Sequence, residues 1–385
     1  MYSTPKKQTG DDYHVVDLRS DTFTTPTPEM LRAMVVAKVG DDVYGEDPTL
    51  IELEQRTARE LGKEAALFTI SGTMGNLLAI MAHCSGRGEE VICGNMSHAF
   101  LYEQGSAAHL AGVQLATLPN LPDGTFSLDL LRKSIRSVDD HEPTTRLVII
   151  ENTHNLCGGR VIPLEWIRQV RSICTENNIL MHMDGARIYN AAAYLKIPVS
   201  EIAKDFDSVT FCLSKGLSCP VGALLVGKKD FITRARRLRK ALGGGLRQGG
   251  ILAAAGIVSL DSVVPILDGD HRRTRRIAEA IDALQSPNFK VDVKNVQTNI
   301  LMLQLVDVNI KAPDLVKRLQ EVTEEEIAAN VTDKSGKGIV VKISSRDWGY
   351  CRLVVYIQIT DEDVELAIKK FSFVIREFEK NNRAQ

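Results

Sequence analysis

Lys215 has the clearest potential for covalent chemistry in this chain. It follows the apolar run 208–213 and precedes a second apolar run, 223–226, so the pattern predicts two short strands with a lysine at the turn between them. Burial in a partly dry pocket disfavours a charged lysine. An uncharged amine can form a Schiff base with a carbonyl such as that of pyridoxal phosphate (PLP). The alternative is a solvated turn lysine, which a lone Ser-Lys-Gly does not exclude.

Asp184 ends another apolar run, 179–183, and precedes Gly185. A buried carboxylate is costly unless it meets a cation. The ring nitrogen of PLP would supply that cation, because a carboxylate keeps the nitrogen protonated and makes the ring an electron sink. The alternative is an aspartate that caps a helix beginning after Gly185. The separation from Lys215 suits neighbouring strands of one sheet.

Two glycine-rich segments are candidates for binding a phosphate. Residues 71–76 join a predicted strand to a predicted helix, where backbone N–H groups and the helix dipole favour an anion. Residues 243–250 enclose Arg247, which could clamp the same phosphate from its own or a neighbouring subunit. Neither segment is a Walker loop or a G-x-G-x-x-G motif. Each is also compatible with an ordinary turn or a surface loop.

The candidate acid–base and carboxylate-binding residues are histidines and arginines. A neutral imidazole can stack on a pyridine ring or take a hydroxyl proton, and His98 and His154 stand near predicted loop ends. Either could equally be a structural histidine. The arginines considered for binding a substrate carboxylate in bidentate fashion are Arg19, Arg187 and Arg352. No spaced set of His, Cys and Asp repeats, so no metal site is predicted.

The order of elements predicts an α/β fold with a largely parallel sheet, followed by a smaller α+β domain. The predicted strands of the first part are 65–70, 90–93, 146–150, 179–183, 208–213 and 223–226, and its predicted helices are 49–62, 76–83 and 164–177. Ligands of such sheets bind at the carboxyl ends of the strands. The second part has predicted strands at 299–305 and 352–359 and a final helix after residues 360–363.

These patterns divide the chain into a disordered tail, a large domain and a small domain. The boundaries are 1–14 for the tail, 15–269 for the large domain, whose segment 15–45 is expected at an interface, and 270–385 for the small C-terminal domain. The tail lacks the apolar core of a secretory signal.

Composition narrows the possible partners. The chain has 385 residues, 44% of them hydrophobic and 25% charged, and a formal net charge of −2. This balance gives no hint of nucleic acid or an anionic membrane as a partner. We expect no apolar run of the ~18 residues that span a bilayer. The seven cysteines contain no C-x-x-C pair, which favours a reducing cytoplasm and is compatible with a mitochondrial address.

Seven motifs, in order along the chain, resemble those of the L-threonine aldolases, which are PLP enzymes of fold type I. They lie at 17–22, 40–49, 71–76, 151–155, 182–187, 214–222 and 243–248. The resemblance extends from about residue 15 to 260 and is weaker near Arg352. It therefore implies the PLP-dependent fold-type I architecture for the large domain.

The resemblance also implies roles for the candidates. Lys215 would carry PLP, Asp184 would pair with the ring nitrogen and His98 would stack on the ring. The residues expected at the phosphate are Gly72, Thr73 and Arg247. The residues expected at the substrate carboxylate are Ser20, Arg187 and Arg352, with Arg187 also near the ring oxygen. His154, together with His98, would act near the substrate β-hydroxyl, and Tyr44 would reach a partner's site.

The implied reaction is retro-aldol cleavage of L-threonine or L-allo-threonine to glycine and acetaldehyde by a cytoplasmic homotetramer. That reaction belongs to threonine catabolism and glycine biosynthesis. The alternatives are another PLP lyase or an aminotransferase on the same scaffold, and an inert relative that serves as a binding protein. Three segments depart from the family pattern: Ser218-Cys219 replaces a Gly-x pair, Gly158-Gly159 lengthens a loop, and Val355-Tyr356 replaces a Thr-His pair beside Arg352.

Overall fold

The structure is a computed structural model that describes residues 13–136, 139–307, 309–346 and 349–383. Its strands are β1 (Tyr13–Asp17), β2 (Ala65–Thr69), β3 (Glu89–Gly94), β4 (Gln114–Leu118), β5 (Thr144–Glu151), β6 (Leu180–Asp184), β7 (Ser208–Cys212), β8 (Ala223–Gly227), β9 (Phe289–Val291), β10 (Ile300–Leu305), β11 (Gly338–Lys342), β12 (Ser344–Arg346) and β13 (Tyr350–Val354). Its α-helices are α1 (Pro28–Val35), α2 (Pro48–Glu60), α3 (Gly72–His83), α4 (His98–Leu101), α5 (Ser106–His109), α6 (Leu128–Ser134), α7 (Leu164–Glu176), α8 (Ile188–Leu195), α9 (Val199–Ala203), α10 (Lys229–Ala241), α11 (Gly250–Ser262), α12 (Leu267–Asp282), α13 (Ala312–Gln320), α14 (Glu324–Ala328) and α15 (Asp361–Arg383).

The chain forms two compact units. One runs from Thr24 to Asp268, and the other combines the chain up to Phe23 with the chain from Gly269 onward. The N-terminal segment joins the second unit because β1 pairs in parallel with β11. Of the predicted tail 1–14, residues 1–12 lie outside the described residues and the last two belong to β1. The predicted large domain, 15–269, differs from this division at residues 15–23 and at Gly269.

The unit from Thr24 to Asp268 is built on a seven-stranded sheet of order β2-β8-β7-β6-β5-β3-β4. Only β8 runs antiparallel to its neighbours, β2 and β7. All five residues of β7 and all five of β8 are buried, as expected for central strands covered on both faces. Helices α2, α3 and α10 pack on this part of the sheet. The predicted α/β fold with a largely parallel sheet is confirmed.

The carboxyl ends of the parallel strands bring the candidate segments to one edge of the sheet. Glu151 at the end of β5 lies opposite Asp184 at the end of β6, and Asp184 lies opposite Thr210 of β7. The segment that carries His98 follows β3, and the glycine turn follows β2. Ligand sites of α/β sheets occur at this edge.

One helical stretch, Gly250–Asp282, contains an apolar window long enough to cross a membrane by length and composition, with a hydropathy of 2.0. The expectation that no such run exists was therefore wrong. Half of this window is buried inside the protein, because α11 packs against α1 and α2. Its apolar residues thus serve as those of a core helix.

The other unit contains a four-stranded antiparallel sheet of order β12-β13-β10-β9 and the two-stranded pair β1-β11. The predicted strand 352–359 ends earlier, at Val354, because the chain turns and Ile359 N–H bonds to Tyr356 O at 2.8 Å. The final helix, α15, begins at a reciprocal cap in which Asp363 N–H donates to Thr360 Oγ1 and Thr360 N–H donates to Asp363 Oδ2.

Candidate active site

Lys215 lies in the connection between β7 and β8, as predicted. Leu213 N–H bonds to Gly222 O at 2.9 Å and closes the base of this connection. The carbonyl oxygen of Lys215 accepts hydrogen bonds from Thr24 Oγ1 at 2.9 Å and from Ser218 N–H at 2.8 Å. The lysine backbone is therefore fixed on both sides, and its side chain is half-buried.

Ser218 fixes the shape of the Lys215 connection at a conformational cost. Its φ of 59° lies in the left-handed region, which glycine adopts more easily than any residue with a Cβ. The side chain is fully buried, and no described group hydrogen-bonds to its Oγ. The backbone here retains the conformation suited to a glycine, although the sequence has a serine.

Asp184 is a buried carboxylate, only 3% exposed. Its Oδ2 accepts from Asn76 Nδ2 at 2.9 Å and its Oδ1 from Ala186 N–H at 3.2 Å. Both donors are neutral, and no Lys, Arg or His within the described part of the chain forms an ion pair with it. The helix that follows, α8, is preceded by Arg187 at the N-cap position, so Asp184 does not cap it. This carboxylate fits a cationic group such as a protonated ring nitrogen.

The glycine turn forms the N-terminus of α3. The helix begins at Gly72, four residues earlier than predicted, because Ser71 is its N-cap and accepts from Met74 N–H at 3.1 Å. The N–H groups of Gly72 and Thr73 precede the first helical hydrogen bond and are available to an anion. A Cβ on Gly72 would lie 2.6 Å from Cys212 Sγ of β7, so glycine lets the anion site approach the Lys215 strand.

His98 begins the short helix α4. Its backbone N–H donates to Glu151 Oε2 at 2.7 Å, and its Nδ1 lies 3.0 Å from Glu103 Oε1. Burial lowers the pKa of His98, but the hydrogen bond to Glu103 and the charge of Asp184 outweigh it and leave the pKa above its ordinary value. The ring is partly exposed, so one face remains accessible to a bound molecule.

His154 is buried in the loop after β5, with 1% exposure. The loop closes on itself through His154 N–H to Arg160 O at 2.8 Å. Gly158 and Gly159 adopt positive φ in its turn, and Gly159 N–H donates to His154 O at 2.9 Å. Cys157 N–H donates a weak hydrogen bond to His154 Nδ1 at 3.4 Å. With Nδ1 as the acceptor, the ring carries a proton on Nε2, which has no hydrogen-bond partner among the described residues.

Glu151 connects the two histidine segments and was not among the predicted site residues. One carboxylate oxygen accepts from His98 N–H and the other from Asn155 N–H at 2.8 Å. The sequence signal for it was its position at the end of an apolar strand, directly before Asn-Thr-His. Without a structure, that position does not reveal the second loop it binds.

Asn76 and Glu103 were also missed. Asn76 Nδ2 donates to Glu103 Oε1 and to Asp184 Oδ2, both at 2.9 Å. His98, Glu103 and Asp184 place one polar atom each within 4.8 Å of one another. Amide protons and an imidazole already point at these carboxylates, which is the geometry of a hydrogen-bond network. Both missed residues are buried.

Arg187 and Arg247 have different surroundings. Arg187 is buried beside Asp184, at the start of α8, as expected for a residue that shares the Asp184 turn. Arg247 is more than half exposed and pairs with Asp41 Oδ2 at 2.9 Å. Its backbone oxygen accepts from Asp42 N–H, so Arg247 contacts the loop that presents the highly exposed Tyr44. Its contact with a phosphate stays a prediction.

Ser20 and Arg352 belong to the other unit. Arg352 is buried in β13 and donates from Nη2 to Arg19 O at 3.1 Å. Arg19 itself forms a bidentate pair with Asp17, with Nε 2.9 Å from Oδ1, so its guanidinium is already engaged by a carboxylate. Ser20 Oγ accepts from Thr22 N–H at 3.2 Å. Substrate binding by Ser20 and Arg352 stays a prediction.

The sequence of this chain is similar to a known protein family and to individual enzymes. The model of the beta-eliminating lyase family matches residues 17–307. The chain is 41% identical to a low-specificity L-threonine aldolase of Arabidopsis thaliana over 92% of this chain and 95% of that one. It is 45% identical to the low specificity L-threonine aldolase of Escherichia coli K12 over 77% of this chain and 87% of that one.

Among solved structures, the threonine aldolase of Leishmania major is similar with a TM-score of 0.70 and 19% identity. The similarity covers 94% of this chain and 99% of that one. At this identity the likeness shows the fold.

Proposed function

The chain belongs to the beta-eliminating lyase family and, within it, to the low-specificity L-threonine aldolases. On that premise we propose that it cleaves L-threonine and L-allo-threonine to glycine and acetaldehyde with PLP as its cofactor. The observation that carries the proposal is Asp184, a buried carboxylate whose hydrogen-bond donors in the described part of the chain are both neutral. It ends β6, the strand beside β7, which leads into the connection that holds Lys215. A carboxylate in that position needs a cationic partner. The protonated pyridine ring supplies one.

The residues that would hold PLP are those the fold gathers at the carboxyl edge of the sheet. Lys215 would bind the aldehyde carbon, Asp184 the ring nitrogen, and His98 one ring face. Gly72 and Thr73 would bind the phosphate at the α3 N-terminus. When bound, PLP supplies a carbonyl that condenses with amines and a ring that accepts the electron pair left at the substrate Cα.

The protein's own groups then bind and orient the substrate. Asp184 would keep the ring nitrogen protonated through its negative charge. Arg187, with Ser20 and Arg352, would bind the substrate carboxylate through charge-assisted hydrogen bonds. Such a clamp would hold the substrate in one orientation for cleavage of its Cα–Cβ bond.

The two histidines differ in what they offer the β-hydroxyl. His154 carries its proton on Nε2 and would donate a hydrogen bond to the hydroxyl oxygen. The pKa of His98 lies above its ordinary value because of Glu103 and Asp184, so the base would be the neutral form of the ring, in which Nδ1 faces Glu103 and Nε2 keeps a lone pair. Removal of the β-hydroxyl proton would therefore fall to His98 Nε2, directly or through a water molecule.

The proposal includes assembly as a homotetramer, a dimer of dimers, with Tyr44 reaching a partner's site. Its support is an exposed apolar surface: Val35 and Val36 at the end of α1 are 86% and 77% exposed, and Tyr44 is 78% exposed. A second copy of this chain is the occupant we propose for that surface. Val35→Glu should lower the mass measured by light scattering, whereas Val306→Glu in the other unit, at a half-exposed valine, should not.

We further propose that the enzyme works in the cytoplasm, in threonine catabolism and glycine formation. All seven cysteines are free, which suits a reducing compartment. Fractionation with antibodies against the protein tests the compartment.

Lys215→Ala tests the proposed function, with Lys204→Ala, at an exposed lysine directly after α9, as the matched control. Wild type and K204A should show visible absorbance with PLP and release acetaldehyde from threonine, and K215A should lose both. Release of pyruvate or ammonia from other amino acids, without acetaldehyde from threonine, would instead identify another PLP lyase or an aminotransferase. Wild-type protein without visible absorbance after added PLP would identify an inert relative.

A further inference from the structure

A buried polar network lies beneath Asp184 and His98. It joins Asn76 of α3, Glu103 after α4, and His182 of β6, which are 1%, 2% and 0% exposed. Hydrogen bonds in a buried network fix one arrangement of atoms. Of these three side chains, Glu103 alone has a polar atom, Oε2, without a hydrogen-bond partner among the described residues, because its Oε1 accepts from both Asn76 and His98.

The orientation of the Asn76 amide follows from its neighbours. An ionised carboxylate only accepts hydrogen bonds, so the nitrogen of Asn76 must face Glu103 and Asp184, each at 2.9 Å. The oxygen of Asn76 then faces His182 Nε2 at 3.1 Å. His182 must carry its proton on that nitrogen.

Two further residues hold the His182 proton in place. His182 Nδ1 accepts from the Ser208 hydroxyl at 2.8 Å, and Ser208 Oγ accepts in turn from His83 Nε2 at 2.7 Å. Burial lowers the pKa of His182 to about 3 and that of His83 to about 4, so both rings are neutral and each has one proton. Each residue in the series His83, Ser208, His182 and Asn76 therefore donates its hydrogen bond to the next residue.

The two carboxylates that share Asn76 have separate tasks. Asp184 would pair with the ring nitrogen of PLP, and Glu103 accepts from His98 Nδ1 at 3.0 Å. Burial raises the pKa of Glu103, the bonds from His98 and Asn76 act against this, and the charge of Asp184 adds to it. Two carboxylates this close share a proton unless donors stabilise both charges.

We propose that Asn76 is a positioning residue of this site: its one amide group keeps Asp184 and Glu103 ionised side by side, and so couples the charge at the cofactor ring to the charge at His98. The proposal rests on the proposed PLP chemistry. The charged or titratable groups around His98 are Glu103, Asp184, Lys215, Tyr102 and, at its backbone N–H, Glu151.

The consequence of losing Asn76 has a definite sign. In Asn76→Leu, a side chain of similar size without donors, Glu103 and Asp184 would share one proton and the site would lose one negative charge. Cationic groups beside the site would then release their protons more easily. The midpoint of the pH titration of the visible absorbance should move to lower pH, by about one unit. Glu103→Gln removes the same charge and should move it in the same direction.

The double variant N76L/E103Q separates coupling from general damage. With Glu103 already neutral, the loss of Asn76 should add almost no further shift to that of E103Q alone. Equal additional shifts in both backgrounds would overturn the proposal, because they would mean that Asn76 acts independently of Glu103. Glu90→Gln is the matched control, because Glu90 is a buried glutamate near the amino end of β3 that pairs with Arg136. The midpoint of the absorbance titration of E90Q should equal that of wild type.

Ser208→Ala provides a second route where N76L does not fold. Without the hydroxyl, His182 can move its proton to Nδ1 and the Asn76 amide can rotate, so a shift to lower pH is again expected. An unchanged midpoint in S208A and in E103Q would overturn the proposal. Acetaldehyde release is measured in parallel. Normal release with equal midpoints in wild type, N76L, E103Q and S208A contradicts the coupling alone. Shifted midpoints without any acetaldehyde release contradict the proposed function alone.

Discussion

Glu151 and Asp184 are paired across adjacent strands at the carboxyl edge of the sheet, and Asn152 N–H donates to Asp184 O at 2.9 Å. The two carboxylates have opposite surroundings. Asp184 accepts from the side-chain amide of Asn76 and from Ala186 N–H, whereas both oxygens of Glu151 accept from backbone N–H groups, one in the His98 segment and one in the loop that follows His154. Glu151 therefore fixes the distance between the two histidine segments.

Glu151→Gln should destabilise the protein and slow catalysis together. A glutamine keeps one acceptor but turns an NH2 group toward the second backbone N–H, and a lost hydrogen bond to a buried charge costs about 2 kcal/mol. We expect a lower midpoint of urea unfolding and a lower kcat/KM for threonine. Glu165→Gln, at an exposed helix glutamate, is the control. An unchanged kcat/KM in E151Q would show that the two loops keep their places without this carboxylate.

Gly72→Ala should weaken PLP binding. The new Cβ would lie 2.6 Å from Cys212 Sγ, so the α3 N-terminus must move away from β7. Overpacking of this kind costs about 1–3 kcal/mol, which corresponds to a roughly tenfold or larger rise in the Kd for PLP. Cys212→Ala removes the clashing sulfur, so the double variant should recover much of the affinity in a fluorescence titration. If Cys212→Ala does not restore PLP binding to G72A, the clash with the Cys212 sulfur is not the cause of the weaker binding.

Ser218→Gly should stabilise the Lys215 connection. Glycine relieves the positive φ and removes a buried hydroxyl that has no hydrogen-bond partner among the described residues, and we expect a gain of about 1 kcal/mol. Ser218→Ala removes the hydroxyl but keeps the Cβ, so its gain should be smaller. Differential scanning calorimetry of wild type, S218G and S218A measures the stability gained by relieving the positive φ and the stability gained by removing the hydroxyl. A glycine variant less stable than wild type would contradict the strain at this residue.

Acid should destabilise the protein partly through His83. Burial lowers the pKa of His83 to about 4, below the unfolded value of about 6.5. The unfolded state therefore binds more protons between these pH values, so this histidine's contribution to stability is complete above about pH 6.5 and is lost as pH falls toward 4. The free energy of unfolding should fall by about 1.4 kcal/mol per pH unit from this residue.

His83→Gln should make that pH dependence shallower. The control is His141→Gln, because His141 is 92% exposed and its replacement should leave the slope unchanged. Urea unfolding at pH 7, 6 and 5 measures the slopes. Equal slopes for wild type and H83Q would mean that the ring is protonated in the folded protein.

The sequence predicts six of the seven strands of the large sheet, because buried strands such as β7 and β8 are short apolar runs bounded by glycine and polar residues. It misses β4, most of whose residues are only partly buried. It also predicts that Lys215 and Asp184 follow neighbouring strands. It places the start of α3 four residues late, because a glycine-rich turn resembles a loop until Ser71 is seen to cap it.

Residues that act across distant segments are not predictable in this way. Asn76 and Glu103 look like polar residues of a helix and a loop, and their bonds span 27 and 108 residues of sequence. Similarly, β1 pairs with β11 across most of the chain, which no local pattern indicates. Apolar periodicity reports burial of a segment, not the partner against which it is buried.

The antiparallel strand β8 determines when the site can assemble during folding. Lys215 lies on a local connection between β7 and β8, which closes early because few residues separate its ends. The edge strand β2 pairs with β8, with Ala65 opposite Gly227, and this pairing closes a loop that contains most of the residues of the unit. The N-terminus of α3 meets β7 only after this pairing has formed. In refolding, the affinity for phosphate should therefore emerge last, after the lysine hairpin and the parallel strands have formed.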